Sequence, residues 1–341
     1  MAPRRILVRV PNWVGDAVMA TPALRALRAA HPDSEIAVEG PPALEALLEG
    51  NPSFDAFLPD ASQSPTAWIA RARRLRARNF DLAVLLPDSP RAALAPFLAR
   101  IPRRAGYARN LARRVLLTDA LPPQLEGGRR VPVSMIERYL KVTRAIGCPD
   151  RGDRLELRVG PVAAERVDKR LERVGATPDA ALLVVSPGAA FGASKLWPPE
   201  HFARACDSVA RDAGLLPVLA PAPAEIAIAG AVKARMTERC ICLDDPPLDL
   251  AELKALIARA RLVLSNDTGP RQIAVAFDRP AVVVMGPTDP RHTAHHLERQ
   301  RVLREDVECS PCHLAICPID HRCMTRLRPE RVVGAVRELL A

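Results

Sequence analysis

"VRVPNWVGDAVMATPALRALRAAHP", residues 8–32, passes from an apolar strand through a proline-bearing turn into a helix. A strand that feeds a helix through a short turn is the unit of parallel, doubly wound sheets, whose ligands gather at the carboxyl ends of the strands. Turns in that position often cradle phosphates, using glycine and free backbone N–H groups with nothing negative nearby. This one holds a single glycine, Gly15, and then at once a carboxylate, Asp16. The acid is out of place for phosphate binding and asks for another explanation.

The same alternation continues outward. Ile6–Val10, Glu35–Val38 and Leu82–Leu86 read as strands, with helices over Pro41–Leu48 and Ala67–Arg78. It resumes with strands Leu182–Ser186, Leu215–Leu219, Leu262–Ser265 and Ala281–Met285, separated by helices near Pro199–Ala213, Pro223–Arg235, Leu250–Ala260 and Gly269–Phe277. Short apolar runs alternating with helices indicate parallel sheets covered on both faces. The pattern breaks between residues 147 and 180, where turn residues and charges replace it. At 341 residues the chain exceeds what one core accommodates. Two doubly wound domains are therefore expected, residues 1–165 and 166–341, with a ligand cleft between them.

Net charge is +10, and of the 49 basic residues only five are lysine: Lys141, Lys169, Lys195, Lys233 and Lys254. Such a surface attracts phosphorylated ligands, nucleic acid or an anionic membrane face. Aromatic content is only 4%, with no basic stretch interleaved with rings as single-strand binding requires. That argues against nucleic acid and for a sugar phosphate or a membrane surface. The basic start MAPRRILVRV lacks the apolar run of a secretory signal, and no stretch is long enough to span a bilayer, so a cytoplasmic location is expected.

Three stretches fall at strand ends: the opening turn, "SPGAAFGASKLWPPEHF" at 186–202, and "LSNDTGPRQIAVAFDRPAVVVMGPTDP" at 264–290. In the last, Asn266, Asp267, Thr268 and Gly269 precede a helix that Pro270 opens. Its unbonded N–H groups and the Thr268 hydroxyl make an anion pocket, unless Asp267 and Thr268 simply cap the helix. A helix end contributes only about 0.3–1 kcal/mol to an anion, so a cation should assist. Lys195, in a glycine-rich loop at another strand end, is the candidate.

Together VPNWVGDAVMATPALRALR, SPGAAFGASKLWP, SNDTGPRQIAVAF and GPTDP resemble the ADP-heptose:lipopolysaccharide heptosyltransferases, glycosyltransferase family 9, and most of all their heptosyltransferase II branch. The motifs stand in family order across residues 5–340. The resemblance implies a GT-B fold, with two Rossmann-like domains facing across a cleft. The N-terminal domain would bind the acceptor and the C-terminal one the nucleotide sugar. It implies transfer of L-glycero-D-manno-heptose from ADP-heptose to the lipid-anchored inner core of lipopolysaccharide, with inversion, at the cytoplasmic face of the inner membrane. No cofactor is implied for catalysis. On this reading Asp16 is the general base, Lys195 neutralises the leaving diphosphate, and Gly15, Asp267, Thr268 and Gly269 form the donor-side motifs. Glu225 reads first as an exposed helix-start glutamate, and second as a candidate for the ribose.

Two departures stand out. Members usually carry histidine where this chain has Gln272, which can hydrogen-bond but cannot become cationic. Ala190 replaces a polar residue found in some members. Gln272 is taken with the donor site, and it keeps open a relative that uses another nucleotide sugar or acceptor. A non-catalytic nucleotide-sugar or polyanion binder is a further alternative, against which Asp16 and Lys195 together argue.

Four of the eight cysteines cluster as Cys309, Cys312, Cys317 and Cys323, with His313 and His321 among them. The spacing suggests a structural zinc or iron–sulfur ligand set, with reduced thiols packing an irregular loop as the other reading. Heptosyltransferase II-like sequences often show this cluster, and no catalytic role is assigned to it. Cys148, Cys206, Cys240 and Cys242 read as small core or loop residues. Arg91, Arg103 and Arg104 are candidates to meet the acceptor or remain solvated. A monomer is the default.

Overall fold

The computed structural model describes residues 3–61, 64–126 and 129–341. It divides into two compact units, Met1–Glu156 with 291–293, and Leu157–Pro290 with 294–341.

The first unit runs β1 (Arg5–Arg9), α1 (Val14–Met19), α2 (Thr21–Ala30), β2 (Glu35–Gly40), α3 (Ala43–Leu48), β3 (Ala56–Pro59), α4 (Pro65–Ala77), β4 (Leu82–Leu85), α5 (Pro90–Leu98), β5 (Arg103–Tyr107), α6 (Leu111–Arg114) and β6 (Asp119–Leu121). A two-stranded antiparallel pair, β7 (Leu125–Glu126) with β8 (Arg129–Arg130), and α7 (Met135–Ala145) complete it. Its six-stranded parallel sheet has the order β3-β2-β1-β4-β5-β6. Leu7, Ala37, Ala83 and Leu85 pack beneath Ala72, Leu75, Ala93 and Ala95 of α4 and α5. The serines before α4 and α5 cap them: Ser64 accepts from Ala67 N–H and Ser89 from Ala92 N–H.

The second unit runs α8 (Pro161–Arg173), β9 (Leu182–Ser186), α9 (Pro199–Ala213), β10 (Leu216–Leu219), α10 (Ile226–Lys233), β11 (Ile241–Cys242), α11 (Leu250–Arg259), β12 (Leu262–Asn266), α12 (Gly269–Ala276), β13 (Ala281–Val284), β14 (Gln300–Leu303), α13 (Arg322–Thr325) and α14 (Pro329–Leu340). The sheet order β11-β10-β9-β12-β13-β14 repeats that of the first unit. Strands β9 and β12 are buried at every position, which is why both read as unbroken apolar runs. Helix α8 turns Ala163, Val167 and Leu171 inward and meets α11 through Arg166–Asp249 at 3.0 Å and Arg170–Glu252 at 3.4 Å. An expected division at 165/166 would cut this helix; its inward stripe ties all of it to the second unit, and the units part at Glu156/Leu157.

In both sheets the order reverses direction beside the first strand, between β1 and β4 and between β9 and β12. The crevice at the carboxyl ends there is where doubly wound sheets take ligands. The loops after β1, β9 and β12 carry the three stretches singled out above.

Candidate active site

In the first unit the turn after β1 delivers Gly15 and Asp16 into the first turn of α1, whose N-cap, Trp13, makes no side-chain capping bond. The turn is held from below. Arg9 donates to the Asn12 side-chain oxygen at 2.8 Å and to the Glu39 carbonyl at 3.0 Å. Arg71 grips the Glu39 carboxylate with two bonds of 2.7 and 2.5 Å and lies 3.4 Å from Asp60. Two arginines and two acids thus form a buried, charge-balanced group at the strand ends, and Asn12 hangs from it. From α7 the buried Tyr139 hydroxyl hydrogen-bonds Asp16; burial first, then the Asp16 charge, pushes the tyrosine well above its ordinary pKa. Tyr139 is therefore a fixed, neutral donor to the Asp16 carboxylate. Beside it Arg138 pairs with Asp88 at 2.7 Å.

In the second unit the loop after β9 ends in a single 3-10 turn, Ala193–Lys195. The Lys195 Nζ donates to the Asp267 carbonyl at 2.8 Å and to its carboxylate at 2.9 Å, and lies 5.4 Å from the Phe191 ring. Asp267 also accepts from Arg271 at 3.1 Å and from the Thr288 hydroxyl at 2.8 Å. Burial alone would raise this carboxyl; Lys195 and Arg271 outweigh it and hold it below the usual carboxylate range. Both carboxylate oxygens are occupied by protein donors, so Asp267 is built as the seat of Lys195. An ammonium has three N–H donors, and Asp267 takes two.

Thr268 is the N-cap of α12, but its side chain makes no capping bond; its hydroxyl donates to the Asn266 carbonyl at 3.3 Å. No acid stands in the first turn, which holds Gly269 and the buried Gln272. The helix therefore keeps the positive end of its dipole one residue from the lysine's seat. Glu225 differs from the exposed helix-start residue of the first reading. It is half-buried after β10, and its carboxyl sits so close to Gly188 that a Cβ there would meet it at 1.9 Å. Burial raises its pKa, offset by the Ala222 N–H bond at 3.1 Å. Gly188 thus leaves room for a carboxylate against the loop after β9.

Several further residues support the site. Asn266, fully buried, donates to the Pro187 and Gly188 carbonyls at 2.7 and 3.2 Å and accepts from Trp197 N–H at 3.2 Å, tying the β9 loop to β12. Trp197 is buried in the core, its indole N–H on the Leu327 carbonyl at 2.9 Å. The cysteine-rich segment clasps the residue before the lysine. Ser194 N–H donates to the Ala315 carbonyl at 3.0 Å and its hydroxyl to Leu314 at 2.5 Å. His321 Nε2 lies 2.7 Å from the Ser194 carbonyl, an acceptor only, so that nitrogen carries the hydrogen. Gly192, at φ 153°, passes under Ala315 so tightly that a Cβ would meet its carbonyl oxygen at 2.3 Å.

Among the described residues no group of three or more His, Cys, Asp or Glu side chains is arranged to hold a metal. Cys323 turns into the core beside Gly286 and Met324, its thiol pushed up to about 11 by burial and then by the neighbouring thiols, whereas Cys309 is exposed. Backbone and histidine bonds tie the segment to the Lys195 loop.

Two parallel six-stranded sheets of this order, with the candidate site residues at their strand ends, are the architecture of the GT-B fold. The chain belongs to glycosyltransferase family 9 (heptosyltransferase), whose model matches residues 68–322. It is 29% identical to lipopolysaccharide heptosyltransferase 2 of Salmonella typhimurium, over 88% of each chain, and 29% identical to lipooligosaccharide heptosyltransferase 2 of Haemophilus ducreyi, over 99% of each. The structure of ADP-heptose lps heptosyltransferase II from E. coli superposes with a TM-score of 0.80 at 26% identity, covering 98% of both chains.

Proposed function

We propose that this glycosyltransferase moves L-glycero-D-manno-heptose from ADP-heptose to the inner core of lipopolysaccharide, inverting the anomeric carbon, at the cytoplasmic face of the inner membrane and without a catalytic cofactor. The observation that carries this reading is the seating of Lys195 by Asp267 beside the uncapped, acid-free start of α12. A cation and a helix end together suit a diphosphate. ADP would lie on the second unit, with Glu225 accepting from ribose hydroxyls and Gln272 hydrogen-bonding the donor. The first unit would take the acceptor.

In the reaction the acceptor hydroxyl oxygen attacks the anomeric carbon from the face opposite the diphosphate. Its proton passes to the Asp16 carboxylate, the bond from carbon to diphosphate oxygen breaks, and its electron pair leaves with ADP. The Tyr139 bond orients that carboxylate, and Lys195 stabilises charge developing on the leaving group.

The test is incubation with ADP-heptose and heptose-deficient lipopolysaccharide, following ADP release and acceptor mass. Release of ADP with a gain of one heptose supports the reading. Turnover only with another nucleotide sugar would favour the relative that Gln272 keeps open, because a neutral amide replaces the usual histidine there.

A further inference from the structure

Helix α6 is built inside out. A surface helix of a water-soluble unit turns its apolar side chains to the core and its charges outward, as α8 does with Ala163, Val167 and Leu171. In α6 the inward residue is Arg113, fully buried, while Leu111 is 75% exposed and Val115, one turn on, is 64% exposed. Arg113 is not a casualty of poor packing. Its guanidinium donates to the carbonyls of Tyr107 and Pro87, each at 2.6 Å, of Leu85 at 3.4 Å, and of Ser89. Burial lowers its pKa to about 10, so it stays charged at neutral pH and pins the loops at the ends of β4 and β5. The helix is thereby locked with its leucine and valine facing out.

The apolar face continues onto α5. Phe97 and Leu98 at its end are exposed, and the Arg104 guanidinium lies 5.4 Å over the Phe97 ring while its Nε donates to Leu116 at 2.8 Å. Phe97, Arg104 and the Val115–Leu116 turn are therefore contiguous. The charge along this stretch is mostly positive, with Asp88 and Asp119 at its ends engaged by Arg138 and Arg103. From Ser89 to Thr118 the chain holds seven arginines, Arg91, Arg100, Arg103, Arg104, Arg109, Arg113 and Arg114, and no Asp or Glu. Arg100, Arg109 and Arg114 are exposed beside the apolar side chains.

We propose that the α5–α6 face of the first unit docks on a bilayer of anionic phospholipid, with Phe97, Leu98, Leu111 and Val115 entering the headgroup boundary and Arg100 and Arg114 meeting lipid phosphates. Exposed apolar side chains ringed by arginine match the layered chemistry of such an interface, apolar below and anionic above. A soluble polyanion would satisfy the arginines and leave the leucine and valine in water. Among the described residues no helix is long and apolar enough to cross a membrane, so the contact is superficial. It gives the membrane location in the proposed function a specific surface, and its readout is partitioning, so its failure leaves the reaction itself standing.

The experiment is co-sedimentation of the full chain with vesicles of phosphatidylcholine alone or with roughly one third phosphatidylglycerol, at low and high salt. The wild type is expected to partition onto the anionic vesicles and to be released by salt. Arg100→Gln/Arg114→Gln should weaken this about 25-fold, at about fivefold per arginine. Leu111→Asp/Val115→Asp should weaken it by more than about tenfold, adding anionic charge as well as removing apolar area. Arg326→Gln/Arg328→Gln, the same charge change on exposed residues of the second unit, should leave partitioning within about twofold. Equal loss in that control would show that bulk charge alone binds, and overturn the proposal. So would unchanged partitioning of the α6 variants, or a dimer in sedimentation that Leu111→Asp/Val115→Asp disperses, which would make a second copy the occupant.

Discussion

The two units share one topology and place opposite chemistry at the same point of it. At the switch point of the first, the helix after β1 begins with an acid, Asp16, braced by a neutral tyrosine and standing near a second acid-bearing loop at Asp88. At the switch point of the second, the helix after β12 begins without one, and a lysine is seated beside it. A doubly wound sheet supplies only a crevice. On the proposed reaction, the first few side chains past the strand end decide whether that crevice accepts protons or anions. A displacement reaction with an anionic leaving group needs one of each, and the duplication of a single fold lets each be tuned separately.

The sharpest way to break this contrast is to neutralise the acid. Asp16→Asn should lower kcat about 10²–10⁴-fold in an ADP-release assay, because the proposed general base is lost while its shape remains. Retained turnover would assign the proton elsewhere. Next is the seat of the lysine. Asp267→Asn leaves Lys195 and Arg271 facing each other uncompensated, and should cost about 3–5 kcal/mol in urea unfolding. The sign with pH follows from its depressed pKa: the stability it contributes is fully present above the usual carboxylate range near pH 4 and is lost as pH falls through the lower folded value. The variant should lack that part of the acid slope. The smallest effect concerns the clasp on Ser194. His321→Ala should lower kcat/KM about fivefold, the worth of one hydrogen bond, and His321→Gln, whose amide N–H reaches the same carbonyl, should recover most of it. Equal loss in both would mean that the ring itself packs the loop.

Much of this was legible in the sequence. The helix over Pro199–Ala213 and the strand over Leu182–Ser186 coincide with the observed elements, because each is bounded by proline or glycine and carries a strong apolar pattern. The strands that escaped notice lie toward the sheet edges: β3, β5, β6, β11 and β14. β5, with the sequence RRAGY, begins with two arginines whose heads reach Asp119 and backbone carbonyls, so burial of its far end leaves little trace in composition. At the site, Lys195 and Asp267 were both singled out, but not as partners. They are 72 residues apart, and nothing local encodes a contact made by bringing two strand ends together. The same limit applies to the cysteines. Their spacing does not show that Cys323 lies in the core with the other three thiols as neighbours, or that the segment's His321 serves a backbone carbonyl. Tyr139 gave no signal beyond its type, and the motif containing Asn266 did not show its ties to the β9 loop, since buried polar residues are recognised only by what surrounds them.

The division of labour rests on ADP being held by one unit and the proton by the other. The direct measurement is calorimetric titration of ADP into the wild type, Asp16→Asn and Lys195→Gln under identical conditions. Asp16→Asn should bind ADP within about twofold of the wild type, and Lys195→Gln more weakly by about tenfold or more, as loss of a charge-assisted contact demands. Equal weakening in the two variants, or full affinity in Lys195→Gln, would contradict it.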